Sequence, residues 1–158
     1  MTKQVAIVDA DIGYGVIDAV LDSTNPVTTR FRQADQALSQ LRTTKYDLIL
    51  ARLRMAPGLS PEPALNDLWR GSQGDYAVVC EYFLSQIRDE TSANKETPII
   101  VMDVVAAEGD RLFPNAARRV IQAGANDYVE TRNFPELERL IIKYIGEGQK
   151  PELSDEQS

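Results

Sequence analysis

The sequence alternates short apolar runs with segments whose apolar residues recur at helical spacing. Val5 to Val8 is a continuous apolar run that ends in Asp9, which is typical of a strand buried on both faces of a sheet. Four further runs complete the set: 27–31, 46–51, 99–102 and 126–130. Because each run is followed by a helical segment, the pattern predicts an α/β domain with five parallel strands joined by right-handed helical crossovers. The run at 27–31 is more polar and suits an edge strand.

Residues 56–74 interrupt this alternation. The segment holds three prolines and three glycines in nineteen residues, which predicts a long loop with at most one short helix at 64–69. Loops of this length in compact domains are usually functional or mobile. The helix that follows carries Cys80 in its apolar stripe, so we predict a buried structural thiol rather than a redox sensor.

Composition and charge exclude several classes of function. The chain has 158 residues, with 17 basic and 24 acidic side chains, and a net charge of −7 disfavours binding to nucleic acid. It has no histidine and one cysteine, which excludes Ser-His-Asp catalysis, a His-ligated zinc site and an internal disulfide. No apolar run is long enough to span a membrane, and the start lacks the features of a signal peptide, so we expect a cytoplasmic protein. We expect one domain at 1–146 and an acidic, disordered tail at 147–158.

Four segments together resemble the response-regulator receiver domain. They read QVAIVDAD at the first strand, YDLILARLRMAPG at the third, TPIIVMD at the fourth and AGANDYVETRNFPEL across the fifth. The similarity runs from about residue 3 to 146. It implies a doubly wound, flavodoxin-like sheet with strand order 2-1-3-4-5, and a role in two-component signal transduction.

The chain departs from the receiver pattern at the positions that carry phosphoryl chemistry. The acidic pair that holds Mg²⁺ in the family corresponds to Asp9 and Ala10, with Asp11 next, and the phosphoacceptor aspartate corresponds to Arg52. A shift of one residue would place Ala51 there, which also lacks a carboxylate.

Three further family positions also differ. The Ser/Thr that ends the fourth strand corresponds to Asp103, the conserved lysine corresponds to Thr131, and the proline after it corresponds to Arg132. The aromatic residue of the fifth strand is retained as Tyr128.

Phosphoryl transfer to a carboxylate needs an aspartate nucleophile, a Mg²⁺ ion and a fixed cation that holds the product. Arg52 cannot be the nucleophile because a guanidinium only donates hydrogen bonds. Our hypothesis is that Asp9, Asp11 and Asp103 meet Arg52, whose guanidinium bridges two of these carboxylates and so replaces both metal and phosphoryl group. We therefore expect no catalytic residue, no bound metal and no cofactor. The expected degenerate phosphorylation pocket comprises Asp9, Ala10, Asp11, Arg52, Asp103 and Thr131.

Simpler interpretations of the same residues remain open. In these interpretations Asp11 is only a helix cap, and Asp103 is simply solvated. We expect Arg54 at the surface. The Tyr128 ring can simply pack against the core, with its hydroxyl at the surface.

The leading interpretation is a non-enzymatic pseudo-receiver that works without phosphorylation by binding a protein. The partner would be a signalling kinase, an output protein or a second copy of the chain. In receiver domains, the face made by the fourth helix, fifth strand and fifth helix carries most partner contacts. The residues predicted for this contact are Arg118, Arg119, Gln122, Tyr128 and Arg132, with Trp69 on the 56–74 segment as a second candidate. The arginines can equally form a solvated face, and Trp69 can fold back over a neighbouring helix.

Two alternatives belong to other classes. A divergent receiver would still bind a divalent metal through Asp9, Asp11 and Asp103. A flavodoxin-like protein would bind a small ligand at residues 11–15, where two glycines occur, although the nearby aspartates repel a phosphate.

Overall fold

The computed structural model describes residues 2–9, 15–22, 24–103, 115–130 and 134–146, without the side chains of residues 15, 16 and 134. Within these ranges the chain forms five strands and six helices. The strands are β1 (Gln4–Val8), β2 (Val27–Phe31), β3 (Leu48–Arg52), β4 (Ile99–Asp103) and β5 (Asp127–Glu130). The helices are α1 (Gly15–Asp22), α2 (Ala34–Leu41), α3 (Pro63–Gly71), α4 (Tyr76–Ile87), α5 (Ala116–Ala123) and α6 (Phe134–Ile145).

The strands form one parallel sheet with the order β2-β1-β3-β4-β5, which confirms the predicted fold and strand order. Residue Val8 of β1 lies beside Ala51, and Met102 of β4 lies beside Arg52. Because all strands run in one direction, their carboxyl ends meet at a single edge of the sheet. β3 lies at the centre of that edge, with β1 on one side and β4 on the other.

Alternating side chains along each strand divide the core into two layers. Ala6, Ile49 and Val101 face the layer formed by α2, α3, α4 and α5, whereas Ile7 and Leu50 face α1 and α6. The central strands have apolar residues on both faces for this reason, and the sequence shows them as continuous apolar runs.

Cys80 lies fully buried within the first of these layers, as predicted. Burial raises the pKa of its thiol to about 12, because a thiolate would lose its hydration there. The thiol is therefore protonated near neutral pH.

The segment predicted as a long loop with one short helix contains α3. Proline at its first position suits a helix start, and Leu65 is its buried anchor. Residues 56 and 57 accept hydrogen bonds from the first amides of α2, and Gly58 has a φ of +112° with Asp35 packed against its Cα. The Arg42 guanidinium donates to both carboxylate oxygens of Glu62 at 3.0 and 2.8 Å. These contacts hold the segment along α2.

A buried amide organises the connection between α4 and β4. The Asn94 side chain accepts hydrogen bonds from the Tyr46 amide and the Thr97 hydroxyl, and it donates to the carbonyls of Leu41 and Thr44. Both oxygen and nitrogen of the buried amide are therefore satisfied. This network joins the carboxyl end of α2 to the chain entering β4.

Two other predictions concern the chain as a whole. Among the described helices, none is both long and apolar enough to cross a membrane. The expected tail at 147–158 lies outside the described residues.

Candidate functional site at the carboxyl edge of the sheet

Two buried aspartates flank the end of β3. Asp9 directly follows β1, and its carboxylate side chain is fully buried. Asp103 is the last residue of β4 and is also fully buried. A buried carboxylate needs a cation or several hydrogen-bond donors, because it has lost its hydration. The nearest candidates in sequence are the two arginines at the end of β3.

Arg52 meets the carboxylate that follows β1. Its Nη1 donates a hydrogen bond to Oδ1 of Asp9 at 3.3 Å. The Arg52 side chain is 18% exposed, so the contact is largely shielded from water. The backbone amide of Asp9 also donates to the carbonyl of Phe31, which fixes the aspartate backbone between β1 and β2. A guanidinium thus stands at the end of β3 and faces a fixed anion.

Arg54 meets the other aspartate. Its Nε lies 3.4 Å from Oδ1 of Asp103, and its side chain is 28% exposed. The hydroxyl of Tyr128 donates to Oδ2 of the same carboxylate at 3.2 Å. Burial raises the pKa of the Tyr128 phenol above its usual value, and the charge of Asp103 raises it further. Tyr128 is therefore a neutral hydrogen-bond donor to Asp103.

The arrangement corrects two predictions. Arg54 was expected at the surface, but it contacts a buried carboxylate. Arg52 was expected to meet Asp103 as well as Asp9, yet the structure gives Asp103 a different guanidinium, that of Arg54. The alternative in which Asp103 is solvated is also wrong, because this residue is fully buried.

The alternation of side chains explains why one arginine does not serve both aspartates. Arg52 follows Leu50 by two residues and Asp9 follows Ile7 by two, so both belong to the face of α1 and α6. Asp103 follows Val101 by two residues and belongs to the opposite face, where Tyr128 also packs. Arg54 lies beyond β3, outside its regular alternation, and reaches Asp103 from there.

Four other predicted residues of this edge or its flank lie outside the described residues: Ala10, Asp11, Thr131 and Arg132. Their predicted roles stay predictions. The segment proposed for a flavodoxin-like ligand falls mostly in the same undescribed stretch.

The described part of the edge does not fit a divalent cation. Mg²⁺ needs several oxygen ligands in octahedral geometry, and a guanidinium beside each carboxylate both repels the ion and competes for those oxygens. Among the described residues, no group of three or more carboxylate, cysteine or histidine side chains is placed to hold a metal. The geometry fits two separate ion pairs, one on each face of the sheet.

The predicted partner surface is brought together only in part. Arg118 and Gln122 lie exposed on α5, and Ile121 between them is 44% exposed. Arg119 is engaged within the fold instead, because its guanidinium donates to both oxygens of Glu81 at 2.9 and 2.8 Å. The basic patch on α5 is therefore smaller than the sequence indicated.

Trp69 packs against a neighbouring helix. Its ring centroid lies 4.8 Å from that of Tyr76 at the start of α4, and its side chain is half-buried. This geometry favours the alternative in which Trp69 folds back. Leu68, the residue before it, is 44% exposed, and Leu59 in the preceding turn is 91% exposed.

Sequence reasoning missed Arg54 as a site residue. The signal that could have found it is the pair of arginines two residues apart at a strand end, opposite two strand-end aspartates. Two fixed anions at one edge of a parallel sheet require two cations, or hydrogen bonds of equal strength.

Comparison with known proteins identifies the fold's relatives. No protein-family model matches the chain, and no curated protein matches it. Among solved structures, the receiver domain of a sensor histidine kinase from Pseudomonas aeruginosa, with a magnesium ion coordinated in its active-site cleft, is 25% identical. That similarity covers 92% of this chain and 99% of the other, with a TM-score of 0.60. This chain has the fold of response-regulator receiver domains.

Two response-regulator structures also align over nearly their whole length. A putative response regulator from Chloroflexus aurantiacus is 19% identical over 92% of this chain and 98% of the other, with a TM-score of 0.63. A response regulator from Hahella chejuensis is 20% identical over 94% and 100%, with a TM-score of 0.62. The receiver fold of these relatives supports a signal-transduction domain of the response-regulator type.

Proposed function

We propose that this receiver domain works without phosphorylation, as a non-enzymatic module that binds a protein in a signalling pathway. The observation that carries the proposal is the position of Arg52, which ends β3 and contacts Asp9. By resemblance, this is the position where the family places the aspartate that accepts the phosphoryl group.

The chemistry of the site supports the first half of the proposal. An arginine has no lone pair with which to attack phosphorus, and it stays protonated at any physiological pH. The Asp9 carboxylate, which would be available to a metal in the family, is instead paired with that arginine. The second buried carboxylate, Asp103, is likewise beside a guanidinium. In the described part of the edge, each buried carboxylate therefore already has a cation beside it, without Mg²⁺ or a phosphoryl group.

The fold supports the second half. A receiver domain that transfers no phosphoryl group can still offer its surface to a kinase, an output protein or another copy of itself. The exposed residues of α5 that fit this role are Arg118, Ile121 and Gln122, at spacings of three and one along the helix. Arg132 and Trp69 remain part of the prediction.

Calorimetric titration tests the first half. We expect no heat of binding on addition of Mg²⁺ at millimolar concentration, and none when beryllofluoride follows. Heat that disappears in Asp9→Ala would contradict the proposal and favour a divergent receiver that still binds a divalent ion. A receiver with an intact acidic pocket serves as the positive control.

Charge reversal on the surface tests the second half. Candidate kinases and output proteins of the same cell are assayed for direct binding to the purified chain, with sedimentation of the chain alone as the test for self-association. We expect Arg118→Glu to weaken the complex at least about tenfold, a change of about 1.4 kcal/mol. The matched control is Arg32→Glu, an exposed arginine near the opposite edge of the sheet. Equal binding by both variants would count against the α5 surface.

A further inference from the structure

The carboxyl edge of the sheet contains a second contact that the receiver resemblance does not account for. Arg54, Asp103 and Tyr128 come from three separate segments: the connection after β3, the end of β4 and the middle of β5. They meet around one buried carboxylate. Each oxygen of Asp103 faces a different neighbour, with Oδ1 toward the guanidinium and Oδ2 toward the phenol.

We propose that Arg54 and Asp103 form a clamp that holds the Tyr128 side chain in one orientation. Arg54 acts through Asp103 and is a positioning residue. The clamp is independent of the Arg52–Asp9 pair, because the two pairs belong to opposite faces of the sheet. The proposal concerns this chain's own conformation and stands whether or not the domain is ever phosphorylated.

Three observations carry the clamp. First, Asp103 is fully buried, so its carboxylate cannot turn to water if a partner is lost. Second, Tyr128 is only partly buried and packs at the margin of the core layer of α2 to α5, so core packing does not enclose the whole ring. Its hydrogen bond to Asp103 is the directional contact that selects one position for the hydroxyl. Third, the Arg54 guanidinium lies 3.4 Å from Oδ1 of Asp103 and places a positive charge beside this buried side chain.

The clamp has a consequence for the surface. Tyr128 lies on the edge strand β5, beside α5, where Arg118 and Gln122 are exposed. A tyrosine held in one orientation gives that surface a constant shape. If Arg54 is removed, Asp103 loses the guanidinium beside its Oδ1, and the buried carboxylate has to change its contacts. The geometry offered to the Tyr128 hydroxyl then changes.

Fluorine NMR of the full chain labelled with 3-fluorotyrosine tests the clamp. The chain has six tyrosines, and Tyr128→Phe assigns the resonance of interest by its disappearance. In the unsubstituted protein we expect one sharp Tyr128 resonance. In Arg54→Ala we expect this resonance to shift and broaden, with greater accessibility to a paramagnetic solvent probe.

Two variants provide matched controls. Arg52→Ala removes the neighbouring arginine and its contact with Asp9, and we expect it to leave the Tyr128 resonance in place. Arg54→Lys keeps a cation near Asp103, and we expect it to restore the sharp resonance. An unchanged Tyr128 resonance in Arg54→Ala overturns the clamp, and so does an equal disturbance by Arg52→Ala. Should Arg54→Ala fail to fold, Arg54→Gln provides the neutral variant, and the same two outcomes decide.

Discussion

The Arg52 guanidinium lies 3.3 Å from the carboxylate of Asp9. Arg52 ends the central strand β3, and Asp9 directly follows the neighbouring strand β1, so the two strand ends are joined by an ion pair. Two residues further on, Arg54 contacts Asp103 on the other side of β3. A single edge of the sheet thus holds two ion pairs, separated by the alternation of side chains on the strands. Each buried carboxylate is matched by its own arginine.

Removal of Arg52 should destabilise the fold. In Arg52→Ala the fully buried Asp9 carboxylate loses its guanidinium, and we expect the free energy of unfolding to fall by about 1–3 kcal/mol. Urea denaturation at neutral pH measures the change. The double variant Arg52→Ala/Asp9→Asn separates the ion pair from side-chain packing, because it also removes the charge of the Asp9 carboxylate. If the two substitutions prove additive to within about 0.3 kcal/mol, the pair contributes nothing specific.

Asn94 should be among the most sensitive polar positions. Asn94→Ala removes four hydrogen bonds and leaves buried backbone groups of Tyr46, Leu41 and Thr44 without that partner. We expect a loss of about 3 kcal/mol in unfolding free energy. Thr97→Val is the control, since it removes only the hydrogen bonds of one hydroxyl and should cost about 1 kcal/mol. A smaller loss in Asn94→Ala than in Thr97→Val would contradict the proposed role of the amide.

Gly124 combines an unusual backbone angle with a close contact. Its φ is +130°, and an added Cβ would lie 2.7 Å from Cγ of Arg88. The Arg88 side chain cannot easily move away, because its guanidinium donates a hydrogen bond to the Gly124 carbonyl. We expect Gly124→Ala to lower the free energy of unfolding by about 2 kcal/mol, and the melting temperature should fall with it. Gly146 is the matched control: its φ is +76°, but nothing lies within 4 Å of an added Cβ. Gly146→Ala should therefore cost only about 1 kcal/mol. Equal losses would show that the contact with Arg88 has no effect.

The contact between Arg42 and Glu62 should make stability depend on pH. The Arg42 guanidinium holds the pKa of Glu62 below its ordinary value of 4.5. Because the folded state lowers this pKa, the contact stabilises the fold above about pH 4.5 and is lost as the pH falls through the lower, folded value. Each side chain is about one-third exposed, at 36% and 31%, so the effect is modest and weakens with salt.

Chemical denaturation between pH 7 and pH 3 measures this dependence. We expect the difference in stability between the unsubstituted protein and Glu62→Gln to be largest at neutral pH and to disappear at the acidic end. A difference that grows as the pH falls would have the wrong sign. Glu136→Gln provides the comparison variant, because Glu136 forms a surface ion pair with Arg139 on α6.

Cys80 should be unreactive in the folded protein. Burial raises the pKa of its thiol to about 12, and the side chain has no exposed surface. A thiol reagent at pH 8 should react only as fast as the domain opens, so the rate follows denaturant concentration. Immediate, stoichiometric reaction without denaturant would contradict the burial.

The sequence was sufficient for the fold because local and long-range signals agree. The central strands are buried on both faces and appear as continuous apolar runs, and the helix stripes between them fit only a parallel sheet. The one short helix expected at 64–69 lies within α3, although the prolines of this segment had indicated mainly a loop.

The site was predictable only in part, because side-chain pairing depends on faces and on distant elements. The Arg52–Asp9 contact follows from neighbouring strand ends, whereas the Arg54–Asp103 contact requires knowledge of where the chain bends after β3. Arg119 was misjudged for the same reason. Its partner, Glu81, is 38 residues away on a different helix, and no local pattern links the two.

The central claim is that Arg52 replaces the phosphoacceptor of a receiver domain. The most direct measurement is intact-protein mass spectrometry after incubation with acetyl phosphate and Mg²⁺, with a phosphorylatable receiver treated in parallel. We predict that the mass of this chain stays unchanged while that of the control rises by one phosphoryl group. A stoichiometric phosphoryl adduct on this chain, mapped to an aspartate at the carboxyl edge of the sheet, would contradict the account.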